Sequence, residues 1–365
     1  MKEFNWHIIE DFKHVKLSGA LTALYSNQLI QQMAGGLTSA FFAVFLYQKT
    51  HSLIGVSLYY LASYLVWIFL VPFGGMIMAK IGVKKSLMYS VIFGLLYYFS
   101  LALFDVKEYW IYLGLVVVSV NFNRMLYWTQ FHTDFAKFTD KKNRGKQISI
   151  FTSVASLVAV FLPLISSQIL ENYDFRALFI LAGLIFMASI IPLVFIPEKK
   201  TTYSYTYLQT YKKLFSKQKR RMFWSYAADG AQGVIGLAFW PLFMWLTMNE
   251  SYSAVGILSS VIIFFSIIVR LTVGDYTDRF EKKKVLRWGT VLYSFGWIVK
   301  MFVATGFQIF IASTYHNFAN IVMRTSYDAL MYEKSANDKD MVDEYHVLRE
   351  LALNIGRIFM VLVVV

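Results

Sequence analysis

The sequence predicts an all-α polytopic membrane protein built from two related helical bundles. Three observations carry this. Of 365 residues, 57% are hydrophobic and 16% charged, with a mean hydropathy of +0.51. A soluble domain this apolar would expose large adhesive patches. The apolar residues also come in blocks of about 20, the length a helix rising ~1.5 Å per residue needs to cross ~30 Å of hydrocarbon. The roughly ten-residue alternating segments of a membrane barrel are missing. Finally, a basic loop recurs. Gly75, Lys80, Gly82, Lys84 and Lys85 follow one apolar run, and Gly274, Asp278, Arg279, Lys282 and Lys283 follow another 199 residues later. A bundle duplicated across a shared polar gap is how transporters are built.

Eleven spans are expected in order: Leu17–Tyr47, Leu53–Ala79, Leu87–Phe104, Trp110–Phe135, Ile148–Leu170, Leu178–Ile196, Met222–Leu246, Ser253–Val273, Val285–Ala304, Phe307–Met331 and Tyr345–Val365. Met1 to Lys16 mixes acids, bases and aromatics, so the first span carries its own targeting. Charge fixes the loops between spans. Of 35 Lys and Arg, 27 lie before span one or after spans two, four, six, eight and ten. Only Lys49, Lys107 and Arg176 lie on the other side, and Arg124, Arg270, Lys300, Arg324 and Arg357 lie within spans. This asymmetry predicts a cytoplasmic N-terminus in a plasma or inner membrane. It also explains the net charge of +13 as topology, without nucleic acid.

The longest basic connection, 198–221, reads as an interfacial linker held by anionic lipid. It divides a six-helix N-terminal bundle, 1–197, from a C-terminal bundle, 222–365. The repeat extends beyond the loop. Gly35 to Phe45 aligns with Gly233 to Phe243 at an offset of 198, and Asn121, Phe122 and Thr129 align with Asn317, Phe318 and Thr325 at 196. On this register a twelfth span, matching span six, is expected in the full protein, with the present sequence a fragment.

These residues resemble the major facilitator superfamily, whose loop signature after spans two and eight reads Gly-x-x-x-Asp-(Arg/Lys)-x-Gly-(Arg/Lys)-(Arg/Lys). Gly75, Lys80, Gly82 and Lys84 match the first copy, with Ala79 at the acid position. Gly274, Asp278, Arg279, Lys282 and Lys283 match the second, with Glu281 replacing the glycine. The resemblance implies that the loops latch the halves together on the basic side. Arg279 would then reach Asp328 or Glu333, Asp278 would cap span five, and Lys80 would reach Asp134. The first latch should be the weaker, because Ala79 is uncharged. The alternative is that these charges only set topology.

The resemblance also implies that spans one, four, seven and ten line a cavity, and polar residues fall there. Gln28, Gln31, Gln32 and Gly35 share a face of span one, and Tyr226, Asp229, Gln232 and Gly233 the corresponding face of span seven. Asn121, Arg124 and Trp128 in span four match the spacing of Asn317, Asn320 and Arg324 in span ten. Ionisable groups within a span cost roughly 3 kcal/mol, so they need a cavity or a partner. Asp229 is the first choice for coupling to a proton. Its competing role is as fixed counter-ion to an arginine. Arg124 and Arg324 suit an anionic part of a solute, or form inter-helix ion pairs. Arg357 extends towards the same cavity, while Lys300 is expected to snorkel outward.

The expectation is a secondary transporter moving a small anionic or zwitterionic solute by alternating access, coupled to a proton or other ion. Two alternatives stand beside it: an exporter of amphipathic compounds, and a sensor or scaffold that does not transport. No nucleotide-binding loop, catalytic pair or clustered histidine argues for an ATP-driven pump or an enzyme. No cofactor or metal is expected, membrane lipid is the surrounding partner, and a monomer is expected.

Overall fold

The computed structural model describes residues 17–138, 144–198, 203–277, 281–337 and 342–365. Every expected span is helical. Span one is Gly19–Ser39 continued by Phe42–Thr50, span two Leu53–Ile81, span three Val83–Ala102, span four Tyr109–Phe138 and span five Arg144–Asn172. Span six is Phe175–Ala188 with the short turn Ile190–Leu193. Span seven is Arg220–Val234 and Trp240–Thr247. Spans eight to eleven are Tyr252–Thr277, Lys282–Lys300, Gly306–Asn337 and Val342–Val364. Among the described residues, seven of these are long and apolar enough to cross a membrane by length and composition alone. Span four, which carries Arg124, and span ten, which carries Arg324, are among those that fall short.

The packing repeats. Span one lies on span five as seven lies on eleven. Two lies on four as eight lies on ten, and three on four as nine on ten. The main contacts between halves, two on eleven and five on eight, exchange under the same substitution. That pattern is what a two-fold relation between bundles requires. Irregularities repeat as well. Span one breaks between Ser39 and Phe42, and the aligned part of span seven widens into a π-turn at Ile235–Phe239. In span seven the cause is Pro241, which has no N–H and whose ring displaces the carbonyl one turn earlier.

The linker forms a short helix, Tyr207–Leu214, with Thr206 and Gln209 making a reciprocal capping box. Its basic run is divided, since span seven already begins at Arg220. Tyr211 donates to the Ile68 carbonyl of span two at 2.7 Å, while the Ser204 N–H donates to Glu344 of span eleven at 2.9 Å. The linker therefore ties both halves on the basic side. Burial, then the hydrogen bond with Tyr207, raises the Tyr211 hydroxyl above its usual range.

On the far side the halves meet directly. Gln48 donates to the Tyr252 hydroxyl at 2.6 Å, and Phe41, Phe175 and Trp245 surround that ring. The Glu171 carboxylate of span five accepts from the Ser253 N–H at 2.9 Å, which caps the first turn of span eight. These contacts join the halves on the far side.

Candidate functional site

Two cavities matter. The first, about 220 Å³, lies in the N-terminal half and reaches Leu237 of span seven. Span one supplies Gly35, Thr38 and Ser39. Spans two and three supply Tyr59, Tyr60, Ser63, Tyr64, Tyr97 and Tyr98, and span four supplies Asn123 and Arg124. Arg124 makes no ion pair or hydrogen bond with any other described residue. It lies within electrostatic range of Tyr59, Tyr60 and Tyr64. Arg357, from span eleven of the other half, is not among the residues lining this cavity but stands behind its wall, 5.5 Å from the centre of the Tyr64 ring, and donates to Asn354 at 3.2 Å. It too has no carboxylate partner among the described residues. Two guanidiniums from opposite halves thus flank one tyrosine. In a low-dielectric setting each favours an anion strongly.

The second cavity, about 380 Å³, lies between spans seven, nine and ten. Arg324 grips Asp229 through two hydrogen bonds, at 2.9 and 3.0 Å. The Asp229 side chain is 10% exposed and that of Arg324 35%. Gln232 donates to Asp229 at 2.9 Å, and Tyr293 donates to Gln232 in turn. The order Asp229, Gln232, Tyr293 is a continuous hydrogen-bonded chain across two spans. Arg324 also stands 5.4 Å from the centre of the Tyr327 ring.

The other polar residues read from sequence lie elsewhere. Asn121 is fully buried and faces span two, not the cavity, donating to Ser63 at 3.2 Å and to the Val117 carbonyl at 2.7 Å. Asn317 donates to Ser266 of span eight at 3.0 Å. Tyr226 is buried against span eleven, its hydroxyl 2.8 Å from that of Tyr345. Gln28, Gln31 and Gln32 line neither cavity, and the buried Gln31 amide nitrogen has no acceptor among the described residues. Asn320 has a buried amide oxygen without a donor among the described residues. Trp128 is 38% exposed and packs edge-on against Tyr127. Lys300 corrects an expectation. It does not snorkel outward but is 9% exposed, with its ammonium over Trp240 and Trp297. Trp240 lies sixty positions away in sequence, so no local pattern signals the enclosure.

In the first loop signature, Gly82 has φ +88°, a conformation glycine adopts without strain, and ends span two. A side chain there would strike Glu198, just after span six. Lys84 donates to the Val194 carbonyl at 2.7 Å, and Gly75 leaves room for the Tyr203 ring of the linker. The described contacts of Gly75, Gly82 and Lys84 are thus with the end of span six and the linker. Lys80 is exposed. The side chains of Asp134, Gly274, Asp278, Arg279, Asp328 and Glu333 lie outside the described residues, and so does the second latch.

Sequence reasoning missed the tyrosine wall. Tyr59, Tyr60 and Tyr64 in span two and Tyr97 and Tyr98 in span three were one signal. In a chain that is 18% aromatic, they read as ordinary packing.

The family model described as Major Facilitator Superfamily matches residues 24–228. No curated protein matches the sequence. Among solved structures, the chain is similar to a peptide transporter POT in complex with sulfate, with TM-score 0.73 and 11% identity over 98% of this chain and 92% of that one. A mutant of a peptide transporter POT, also with sulfate, gives TM-score 0.71 and 11% identity over 94% and 87%. At that identity the likeness is one of fold. With the family match spanning more than half its length, this integral membrane protein belongs to the Major Facilitator Superfamily of transporters.

Proposed function

We propose that the protein is a secondary active transporter that moves a small anionic or zwitterionic solute by rocking its two bundles about the first cavity. One observation carries this reading: Arg124 and Arg357, from opposite halves, flank Tyr64 with no carboxylate partner among the described residues, while Arg324 is already held by Asp229. A solute carboxylate or phosphate between them gains charge-assisted hydrogen bonds from both bundles. The tyrosines around it supply hydroxyls and flat apolar walls. Because the two arginines ride on different halves, an anion that engages both favours the conformation that brings them together.

Asp229 is the coupling residue in this reading. Protonating it removes the charge that holds Arg324, so the pair between spans seven and ten exists only in the ionised form. In this reading the Gln48–Tyr252 contact is one that must break when the far side opens. The reading includes a cytoplasmic N-terminus, bundles divided at the 198–221 linker, and a monomer as the working unit.

The test is uptake of labelled solutes into proteoliposomes under an imposed pH gradient. The solutes span simple carboxylates, phosphates and a dipeptide, the last because the structural neighbours are named peptide transporters. Gradient-driven uptake of an anionic solute that is lost in Arg124→Gln and Arg357→Gln supports the reading. An amphipathic cation carried equally by all three proteins refutes it in favour of an exporter.

A further inference from the structure

A third cavity lies on the far side of the C-terminal half, sharing Trp297 with the second cavity. Lys300 ends span nine and is 9% exposed. Its ammonium lies 4.1 Å from the centre of the Trp240 ring and 4.8 Å from that of Trp297. It makes no ion pair or hydrogen bond with any described residue. Trp240 is fixed, its indole N–H donating to Ser313 at 3.2 Å. Trp297 is different: its buried indole N–H meets no acceptor at full hydrogen-bond geometry among the described residues, and its polar neighbour is the Tyr293 hydroxyl. A buried cation with no counter-ion among the described residues and a buried, incompletely satisfied donor stand side by side.

They line a cavity of about 310 Å³ whose other walls include Ile235, Phe239 and Phe243. Phe243 is 36% exposed and Met301 79%, so the mouth opens to the hydrocarbon around the protein. The π-turn at Ile235–Phe239 contributes Ile235 and Phe239 to these walls. A site with apolar walls, lateral access and one uncompensated ammonium excludes a water-soluble anion and a neutral tail alone. The chemistry that satisfies every group is an anionic head with an acyl chain. Cation–π contact with two indoles offsets only part of the cost of burying an ion. A counter-ion makes up the difference.

We infer that this pocket seats an anionic phospholipid of the leaflet opposite the basic loops, with its phosphate on Lys300 and the Trp297 N–H and one acyl chain along Ile235, Phe239 and Phe243. Because the pocket is built on spans seven and nine, a bound lipid would brace the half that carries Asp229.

The experiment is thermal unfolding of the delipidated full chain in detergent. It is titrated with phosphatidylglycerol, with phosphatidylcholine of the same chains, and with glycerol phosphate as the head without a tail. The expected result is a Tm that rises with phosphatidylglycerol, rises less with phosphatidylcholine, and ignores glycerol phosphate. Lys300→Met removes the preference for phosphatidylglycerol, and Lys300→Arg, which keeps the charge, retains it. Equal stabilisation by both lipids, or a preference that survives in Lys300→Met, overturns the proposal. So does an oligomer that Phe243→Glu disperses without any lipid response, since the pocket would then be a seat for a second copy. None of these outcomes depends on the transported solute.

Discussion

Asn121 and Asn317, 196 residues apart, make the same bond in the two halves. Each donates its side-chain amide to a serine one helix away, Asn121 to Ser63 and Asn317 to Ser266. The serines are themselves related by a similar offset, 203 residues. These pins hold span four on span two and span ten on span eight, the pairs that must stay rigid if each half moves as a body.

Removing a pin should loosen one bundle without touching the other. Asn121→Ala is expected to cost about 1–2 kcal/mol, the upper range for an inter-helix hydrogen bond in a membrane. Asn317→Ala, whose side chain is only partly buried, should cost less. The sites are remote from each other, so the double variant should be additive. Thermal unfolding in detergent measures all three.

Charge in and beside the first cavity should set affinity. Arg124→Gln and Arg357→Gln should each weaken an anionic solute roughly 10-fold to 100-fold, the value of one charge-assisted bond of about 1.5–3 kcal/mol. Arg124→Lys should restore part of it, since a point charge replaces a fork. Tyr64→Phe should lower affinity less than either. Equilibrium binding across this series separates charge from hydroxyl.

The Asp229 and Arg324 pair should behave as a unit. Asp229→Asn leaves Arg324 without its counter-ion and should destabilise by roughly 2 kcal/mol. That is below the 3–5 kcal/mol of a fully buried pair because Arg324 is 35% exposed. Removing both charges in Asp229→Asn with Arg324→Gln should recover part of the loss. Uptake in Asp229→Asn should lose its dependence on the pH gradient, and Arg324→Gln should keep it. Flux measured with and without the gradient decides.

The basic-side loop offers a structural test. Gly82→Ala forces a side chain into a positive-φ position and against Glu198, and should cost about 1–2 kcal/mol. Gly75→Leu should displace Tyr203 and free the linker from span two. Limited proteolysis within 203–214 should accelerate in Gly75→Leu and stay near the starting rate in Gly82→Ala.

The spans were legible because a bilayer demands one thing of each: about 20 apolar residues. The repeat was legible because glycine and basic residues keep their spacing when a bundle is copied. The site was less so. A polar residue within a span needs a partner or a cavity, and spacing alone cannot separate the two. Asn121 and Arg124 share a helical stripe, yet one faces Ser63 and the other the tyrosines. For Asp229 the sequence left two roles open, and the counter-ion is Arg324, 95 positions away. Lys300 was misread for the same reason, since its tryptophans converge only in the folded chain.

Alternating access is the claim on which the functional reading rests, and the chain's lack of cysteine makes it directly measurable. Ser39→Cys places a single thiol in the first cavity. A membrane-impermeant thiol reagent should label it from either side of sealed vesicles. In a second protein, Gln48→Cys with Tyr252→Cys closes the far side by a disulfide, made before the Ser39 thiol is probed. Far-side labelling should then stop and basic-side labelling should persist. Labelling of the unlocked Ser39→Cys protein from one side only, or far-side labelling that persists under the lock, would contradict the account.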